Sequence, residues 1–388
     1  MGTFFHPFFQ LRPRKDKEDS DMFVAKRFFR YFDWISFFLI LCISLIGLLF
    51  VFSATYRPEQ PYSIFFKKQA LGIGGGIIIY FICSLIDYRM LLQWGLLIYS
   101  AVLGLLLFTL FKGSIGMGGQ RWINMGFFKA QPSELAKMLF PLFAVCYLYA
   151  RKESFTFTVQ EFIPLLGTLL ISVLLILKQP DLGTALLVLI SGALLLWLAS
   201  LSKEFFLYSM LLILITAPLS WHLLKSYQQK RVLVFLGQGE SNKERYQIEQ
   251  SKIAIGSGGL LGKGFLKGTQ NKLQFLPESR TDFIFSVISE EIGFIGAFAL
   301  IILFLILFGR LLLITLSINQ PLVQLLAFGF IIHIIVAFLI NSAMVLGLLP
   351  IVGIPLPFIS YGLSNLWITY ASLGWFNNIT MQHLHLSS

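Results

Sequence analysis

Charged residues are scarce in this 388-residue chain: they make up 13% of the sequence, whereas apolar residues make up 56% and the mean hydropathy is +0.78. A soluble domain usually has about 25% charged residues. So few charges exclude a surface that faces water over most of its area. Around a membrane protein the solvent is hydrocarbon, so the outer surface can be as apolar as the core. The composition therefore predicts a polytopic membrane protein.

Cysteine and histidine are also rare, with three and five residues. The cysteines, Cys42, Cys83 and Cys146, fall in separate apolar runs, and no spacing of cysteine and histidine is typical of a metal site. We expect the cysteines to pack as small apolar side chains. We predict no metal-ligating side chains.

A glycine-rich segment, GSGGLLGKGFLKG at 256–268, superficially resembles a phosphate-binding loop. That motif needs glycine and then serine or threonine at two positions where this chain has Ser257 and Gly264, so a nucleotide site is not predicted. Glycine allows a backbone to approach another surface closely. We interpret the segment as backbone that bends close to the membrane or to a ligand.

Long apolar runs account for most of the chain. A helix needs about 20 apolar residues to cross roughly 30 Å of hydrocarbon. Continuous apolar runs favour helices over a β-barrel. The predicted fold class is an all-α polytopic membrane protein with about ten transmembrane helices and a large extracytoplasmic loop, 224–281, between helices 7 and 8. The ten runs are 33–54, 68–87, 89–111, 134–150, 158–177, 183–201, 203–223, 282–308, 321–348 and 360–379.

Basic residues cluster before the first run, which favours a cytoplasmic N-terminus. With ten spans the C-terminus is then cytoplasmic as well, although Lys67, Lys68 and Lys112 oppose this orientation. We divide the chain into a basic N-terminal segment (1–32), a transmembrane domain (33–380) and a short cytoplasmic tail (381–388). The outer loops become about 55–67, 112–133, 178–182, 224–281 and 349–359, and they contain most of the unusual polar residues.

Glu134 and Lys137 stand three residues apart at the start of an outer helix, where they can form an ion pair. Ionisable residues at the edge of a membrane span are candidate functional residues, and the alternative is a pair that only fixes helix packing. Arg121 and Trp122 precede them. An arginine can bind phosphate in a bidentate manner, and tryptophan is typical of the membrane interface.

The other outer loops add further charged and irregular segments. The longest has an excess of basic residues, which suits an anionic group such as a phosphate or a lipid headgroup, although it is also compatible with a solvated surface. The segment 347–364 contains three prolines, and irregular backbone at membrane depth survives only in protein or beside a wet cavity. The candidate ligand-binding residues in these loops are Lys178, Asp181, Lys263, Arg280 and Ser360.

Asp282 directly precedes the eighth run. It has two explanations, because its side chain can cap the helix or act as a partly desolvated general base. Glu290 and Glu291 lie deeper on the same helix. At about 100° per residue Glu290 is rotated by roughly 80° from Asp282 and Glu291 points roughly opposite, so they cannot both join it. A two-carboxylate site within this helix is therefore not expected.

Five segments together resemble the SEDS family (shape, elongation, division and sporulation), in order and over about 33–380. The segment QNKLQFLPE (270–278) is more similar to the elongation members of the family than to the division members. Arg280 stands where many members have histidine, and Leu363 replaces a frequent glycine. The segments are RWINMGFFKAQPSELAK (121–137), KQPDLGTAL (178–186), YQIEQSKIAIGSGGLLGKG (246–264), FLPESRTDFIFSVISEE (275–291) and LLPIVGIPLPFISYG (348–362).

The resemblance implies a peptidoglycan glycosyltransferase of the bacterial inner membrane that polymerises lipid II and releases undecaprenyl pyrophosphate. It implies Asp282, Glu134 and Lys137 as catalytic residues, and it places Trp122 in the binding region with Arg121. A divalent cation is a possible cofactor. The implied partners are lipid II, a class B penicillin-binding protein, other membrane proteins of the elongation or division complexes, and membrane lipids. No nucleic acid is implied. A lipid II flippase and a scaffold for the penicillin-binding protein remain alternatives.

Overall fold

A computed structural model of the chain is largely helical. It describes residues 30–116, 119–126, 129–151, 159–201, 205, 207, 229, 231, 233–234, 242–273 and 275–387. The predicted seventh run, 203–223, and the basic residues before 30 lie almost wholly outside the described residues.

Most of the predicted runs are helices in the structure, with ends shifted by a few residues. The third run is divided at Trp94, and α12 continues through most of the predicted tail. The described helices are α1 (Trp34–Thr55), α2 (Ile64–Leu85), α3 (Tyr88–Gln93), α4 (Gly95–Lys112), α5 (Pro132–Tyr149), α6 (Val159–Lys178), α7 (Leu182–Leu198), α8 (Asn242–Ser257), α9 (Thr269–Lys272), α10 (Ile284–Leu316), α11 (Pro321–Val345) and α12 (Leu363–Ser387).

Among the described residues, six helices are long and apolar enough to cross a membrane: α1, α2, α4, α6, α10 and α11. The chain is therefore a multi-pass membrane protein, while the predicted count of ten spans stays a prediction. Helix α7 is apolar but only 17 residues long. Helices α5 and α12 are largely buried among the others. A helix that faces protein rather than lipid can carry polar residues, which lowers its hydropathy.

A small antiparallel sheet departs from the all-α prediction. Strands β1 (Ser114–Gly116), β2 (Gly119–Asn124) and β3 (Lys129–Ala130) pair in the order β1-β2-β3 between α4 and α5. The pairing sets Ser114 opposite Trp122 and Ile123 opposite Ala130. The sheet gives Arg121 and Trp122 a fixed backbone instead of a free loop.

The two ends of the helix bundle differ in their polar contacts. At one end, Arg310 of α10 forms an ion pair with Asp33 at 2.6 Å, and Asp33 also caps α1. The Asp33 backbone N–H donates to Asn377 of α12 at 3.1 Å. The C-terminal part of α12 therefore lies beside the start of α1. Asp282 lies at the opposite end of α10, in the turn before Ile284.

Helix α10 is broken at Gly293, which has a φ of 69°. The glycine-rich segment 258–264 closes the break: Lys263 and Gly264 donate their N–H groups to Glu290 and Glu291 carbonyls at 3.0 and 2.9 Å. In return Phe294 and Ile295 donate to the carbonyls of Gly259 and Leu260 at 2.8 and 3.2 Å. The glycines thus bring backbone against a neighbouring helix. Their close contact in this structure is with the backbone of α10.

We predict that Gly293→Ala destabilises the fold. A Cβ at this position would lie 2.3 Å from the Gly262 nitrogen, and its φ lies in the left-handed region. Strain of this kind costs about 1–3 kcal/mol before any steric clash is counted. Thermal unfolding of the detergent-solubilised variant should therefore occur at a lower temperature than in the wild type.

Gly309→Ala on the same helix is the matched control. Among the described residues, nothing lies within 4 Å of a Cβ at that position. Its unfolding temperature should equal or exceed that of the wild type, because alanine favours a helix. Equal unfolding temperatures for the two variants would show that the break at Gly293 does not need glycine.

Candidate active site

Asp282 is partly buried, and its side chain does not cap α10. Phe283 occupies the N-cap, and the described side chains provide no capping hydrogen bond there. The Asp282 backbone carbonyl instead accepts a hydrogen bond at 3.0 Å from the side-chain amide of Asn341 on α11. The same amide donates to the Ile354 carbonyl at 2.8 Å. The helix-cap explanation of this carboxylate is therefore wrong.

The surroundings of Asp282 favour its protonated form. Burial raises the pKa of this carboxyl to about 6 from the ordinary value of 3.8, and the negative charge of Glu278 acts in the same direction. Arg231 and Arg121 lower the pKa, whereas Asp181 raises it. Desolvation thus outweighs the two arginines. A carboxyl with a pKa near 6 is a stronger base than an ordinary one and is still mostly ionised at neutral pH.

Arg121 is held in place by a chain of contacts that begins at Asp181. Its guanidinium lies 3.3 Å from Asp181, whose carboxylate also caps α7 through the N–H of Thr184 at 3.2 Å. The side-chain amide of Gln131 donates to Asp181 at 2.6 Å and to Ser133 at 3.0 Å. Asp181 therefore joins β2, α5 and α7. Its oxygens are already used by protein groups, and any contact of Asp181 with a substrate stays a prediction.

The proline-rich segment 347–362 lies beside Asp282 and forms a wall of the site. Ser360 is buried, and its hydroxyl donates to the Thr281 carbonyl at 2.6 Å and accepts from the Leu356 N–H at 2.8 Å. Gly353, with a φ of 76°, leaves its side-chain position open to the carboxylate: a Cβ would lie 3.5 Å from Asp282 Oδ2. In this structure Ser360 fixes the wall, and Gly353 keeps space in front of the carboxylate.

Three further residues predicted to bind a ligand lie near this end of the bundle. The Arg280 guanidinium carbon lies 4.0 Å from the centre of the Phe65 ring, a cation–π contact. The carbonyl of Arg280 accepts a hydrogen bond at 2.9 Å from the Tyr361 N–H. Trp122 is partly exposed on β2, and Lys178 is exposed at the end of α6. Contact of these residues with a ligand stays a prediction.

The predicted pair of Glu134 and Lys137 is present and almost fully buried. Lys137 contacts the Glu134 carboxylate and donates to Asn365 of α12 at 2.7 Å. The Gln131 N–H donates to Ser364 at 3.3 Å, so the starts of α5 and α12 adjoin. The charged groups that act on Asp282 do not include this pair. The structure therefore gives it a packing role, and its catalytic role stays a prediction.

Lys263, predicted to bind a ligand, has protein partners in this structure, and its contact with a ligand stays a prediction. Its ammonium group donates to Glu290 at 2.7 Å and to Thr269 at 2.8 Å. The same Glu290 oxygen accepts the N–H groups of Thr269 and Gln270 at 2.8 and 3.2 Å. Lys263 therefore neutralises a fully buried carboxylate beside the break in α10. It is not among the charges that act on Asp282.

The donors around Asp282 do not form a ready metal site. Within the part of the chain that the structure describes, no three histidine, cysteine, aspartate or glutamate side chains lie close enough to hold an ion. Asp181 would be the natural second carboxylate, but Arg121, Gln131 and Thr184 already use its oxygens. The residues present do not fit a resident cation, and a role for an ion brought with a substrate stays a prediction.

A bundle of membrane-spanning helices, with a raised-pKa carboxylate beside arginines at one end, defines a membrane protein with a polar site at one surface. The chain belongs to the FtsW/RodA/SpoVE family, described as cell cycle protein, whose model matches residues 33–385. That family is the one the sequence motifs resemble.

Curated relatives cover most of the chain. Peptidoglycan glycosyltransferase MrdB of Escherichia coli is 37% identical over 310 residues, which is 78% of this chain and 82% of the relative. The protein of the same name from Helicobacter pylori is 35% identical over 356 residues, 91% of this chain and 90% of the relative. Stage V sporulation protein E of Bacillus subtilis is 34% identical over 349 residues, 88% and 94% of the two chains.

Solved structures share the fold. A chain from a peptidoglycan synthase complex that coordinates polymerization and crosslinking superposes with a TM-score of 0.77 at 28% identity, covering 91% of this chain and 98% of that one. The rod shape determining protein RodA of Thermus thermophilus gives a TM-score of 0.68 at 27% identity. The superposition covers 91% of this chain and 97% of that one.

Sequence reasoning did not single out three residues that position the site. Asn341 could have been noticed as an amide within an apolar run, where a polar side chain needs a partner. Gln131 is not distinguished by the sequence from the rest of its motif, although its side-chain amide donates to Asp181. Gly353 had no local signal, because its importance comes from a carboxylate 71 positions earlier in the chain.

We predict that Asp282→Asn stabilises the protein at neutral pH. The folded pKa of about 6 exceeds the ordinary 3.8, so the folded state binds the proton more tightly. Wild-type stability should therefore fall as pH rises from about 4 to 6, and the penalty persists above 6. One pKa unit corresponds to about 1.4 kcal/mol, and partial exposure reduces the gain for the variant to roughly 1–3 kcal/mol at pH 7.5.

Thermal unfolding at pH 7.5 and pH 4.5 measures this effect. The difference between wild type and Asp282→Asn should shrink at the lower pH to roughly a third of its value at pH 7.5, because pH 4.5 lies between the unfolded and folded pKa values. Asp181→Asn is the contrasting variant, because it weakens an ion pair and a helix cap and should destabilise at pH 7.5. A loss of stability in Asp282→Asn at pH 7.5 would mean that the carboxylate is structural after all.

Proposed function

We propose that this chain is a peptidoglycan glycosyltransferase that polymerises lipid II into glycan strands during cell-wall elongation. The observation that carries the proposal is the Asp282 carboxyl, which is partly buried, has a pKa raised to about 6 and is not used as a helix cap. The names of the curated relatives support the same activity. A general base of this strength at a membrane surface suits an acceptor hydroxyl on a lipid-linked sugar.

The proposed step transfers one glycosyl unit with inversion. Asp282 takes the proton from the 4-hydroxyl of the acceptor N-acetylglucosamine as its oxygen attacks the anomeric carbon of the donor strand. The new bond joins that oxygen to the anomeric carbon, and the bond from the anomeric carbon to the pyrophosphate oxygen breaks. Undecaprenyl pyrophosphate leaves with the bonding electrons. The proton remains on Asp282 until water removes it.

Cationic side chains are expected to stabilise the negative charge that develops on the leaving group. Arg121 is the strongest candidate, because it already acts electrostatically on Asp282 and is oriented by Asp181. Lys137 is buried against Glu134 and Asn365, near the starts of α5 and α12. It would contact a phosphate only if the phosphate bound between these two helix ends. We assign Glu134 the role of positioning Lys137. Arg280, Trp122 and Lys178 remain candidates for binding the sugars or phosphates.

The proposed setting is the bacterial inner membrane, with both termini in the cytoplasm and Asp282 on the extracytoplasmic side. The contact of Asp33 with Asn377 supports placing the two termini on one side. We propose a class B penicillin-binding protein as the partner, together with other membrane proteins of the elongation or division complexes. The related chain in a polymerization and crosslinking complex supports this pairing.

The first test of the proposal gives labelled lipid II to the purified chain, alone and with its transpeptidase. We expect polymer from the wild type and a loss of at least about 100-fold in Asp282→Asn, since a positioned general base contributes roughly 10²–10⁴-fold. Glu249→Gln is the matched control. Glu249 pairs with Arg245 on the exposed side of α8 and is not among the charges acting on Asp282.

Three outcomes would count against the proposal. Equal polymer from wild type and Asp282→Asn would remove Asp282 as the base and direct attention to Glu134. An equal loss in Glu249→Gln would indicate a general effect of charge removal. No polymer from the wild type with partner and divalent cation present, combined with transfer of lipid II across vesicles, would favour the flippase.

The proposal also predicts a pH dependence of the rate. Because the base must be deprotonated, activity should rise as pH increases through about 6. Arg121 lowers the pKa of Asp282, so Arg121→Gln should move the midpoint to higher pH as well as reduce the maximum rate. Initial rates between pH 5 and 8 measure both effects.

Arg245→Gln is the control for this pH profile, because Arg245 is exposed on α8 in its pair with Glu249. It should leave the midpoint unchanged. An unchanged midpoint in Arg121→Gln would show that the titrating group is not Asp282 or that Arg121 does not act on it.

A further inference from the structure

Burial along α10 changes abruptly at its break. Every residue from Phe283 to Glu291 is buried, including two glutamates. Beyond Gly293 the helix has an exposed apolar face. At 1.5 Å per residue, the part after the break is about 34 Å long, close to the roughly 30 Å of hydrocarbon in a bilayer. The break therefore lies near the boundary of the lipid. The exposed apolar residues are Phe294, Ile295, Phe298, Ile302, Leu305, Ile306, Leu313 and Leu316.

The segment 258–267 extends this apolar face onto a loop. Leu260 and Leu261 are 69% and 79% exposed, and Phe265 is 43% exposed. The backbone at Gly259 and Leu260 is held beside Phe294 and Ile295 by the hydrogen bonds that close the break. Exposed leucines on a fixed loop are costly in water, at about 25 cal/mol for each Å² of apolar surface.

Aromatic contacts place the loop at the same level as the end of α1. The Phe265 ring stacks on Phe52 with a centroid distance of 6.5 Å, and Phe52 in turn contacts Tyr56 and Tyr62. Both tyrosines are exposed at the end of a membrane span. Tyrosines in that position are typical of the membrane–water interface.

The loop also has the charge and the backbone pairing that an interface requires. Residues 258–268 contain no acidic residue, and their two lysines are Lys263, which pairs with the buried Glu290, and Lys267. Lys267 is exposed, so its ammonium group can reach lipid phosphates while its stem lies along apolar surface. The loop exchanges backbone hydrogen bonds with α10, so fewer polar groups face lipid.

We propose that residues 258–267 form a membrane anchor that inserts Leu260, Leu261 and Phe265 into the outer leaflet beside α10. The anchor fixes the break of α10 at the lipid boundary. Asp282 precedes Gly293 by 11 residues, so it stands roughly 16 Å from that boundary. The inserted loop therefore limits the height of the carboxylate above the bilayer.

Spin-label accessibility in nanodiscs tests the proposal on the full chain without a partner. Cys42, Cys83 and Cys146 are first replaced by alanine, and single cysteines are then introduced for labelling. Leu261→Cys is the test position. Phe298→Cys is the lipid control, since it is similarly apolar and 49% exposed on α10. Glu249→Cys is the water control, since its side chain is 55% exposed in an ion pair on α8.

Oxygen partitions into hydrocarbon, whereas a hydrophilic nickel complex stays in water. We expect the ratio of oxygen to nickel collision rates at Leu261 to match that at Phe298 and to exceed that at Glu249 by roughly fivefold or more. A ratio like that at Glu249 would overturn the anchor, because the loop would then be in water. Low accessibility to both reagents would also overturn it, since another protein surface or a second copy would then cover the loop.

Discussion

The exchange of backbone hydrogen bonds between 258–264 and 290–295 is the interaction on which the rest of this structure depends. A helix broken within a membrane protein leaves N–H and C=O groups without partners, which is costly unless another segment supplies them. Here a glycine-rich loop does so, and Lys263 neutralises the buried Glu290 at the same point. The part of α10 before the break is thereby fixed, with Asp282 just before it.

Two opposing electrostatic effects set the character of Asp282. Burial favours the protonated carboxyl, while Arg121 and Arg231 favour the ionised form. Asp181 adjusts this balance, because it pairs with Arg121 and also raises the Asp282 pKa by its own charge. Asp181 thus orients the Arg121 guanidinium and partly offsets the lowering of the Asp282 pKa by Arg121. Since Asp181 also caps α7, the electrostatics of the site are coupled to helix packing.

The sequence allowed prediction of the membrane class, most described helices and the family, because apolar runs and ordered motifs are local signals. It also predicted the Glu134–Lys137 pair from helical spacing. The backbone hydrogen bonds around Gly293 and the contact of Asn341 with the Asp282 carbonyl join segments that are distant in the sequence. No local sequence pattern specifies such contacts. The ion pair of Lys263 with the buried Glu290, 27 residues away, is likewise not indicated by the basic character of its loop.

The placement of charge bears on the choice between catalysis and transport. Transporters usually bind substrate near the bilayer midplane, between helices that rearrange. In the described residues, Arg121, Asp181 and Asp282 gather at one end of the bundle. Glu134 and Lys137 lie within the first two turns of α5, near the same end. A lipid-linked sugar whose tail stays in the bilayer presents its reacting atoms at that level. Chemistry at a membrane surface therefore accounts for this arrangement better than passage through the bundle.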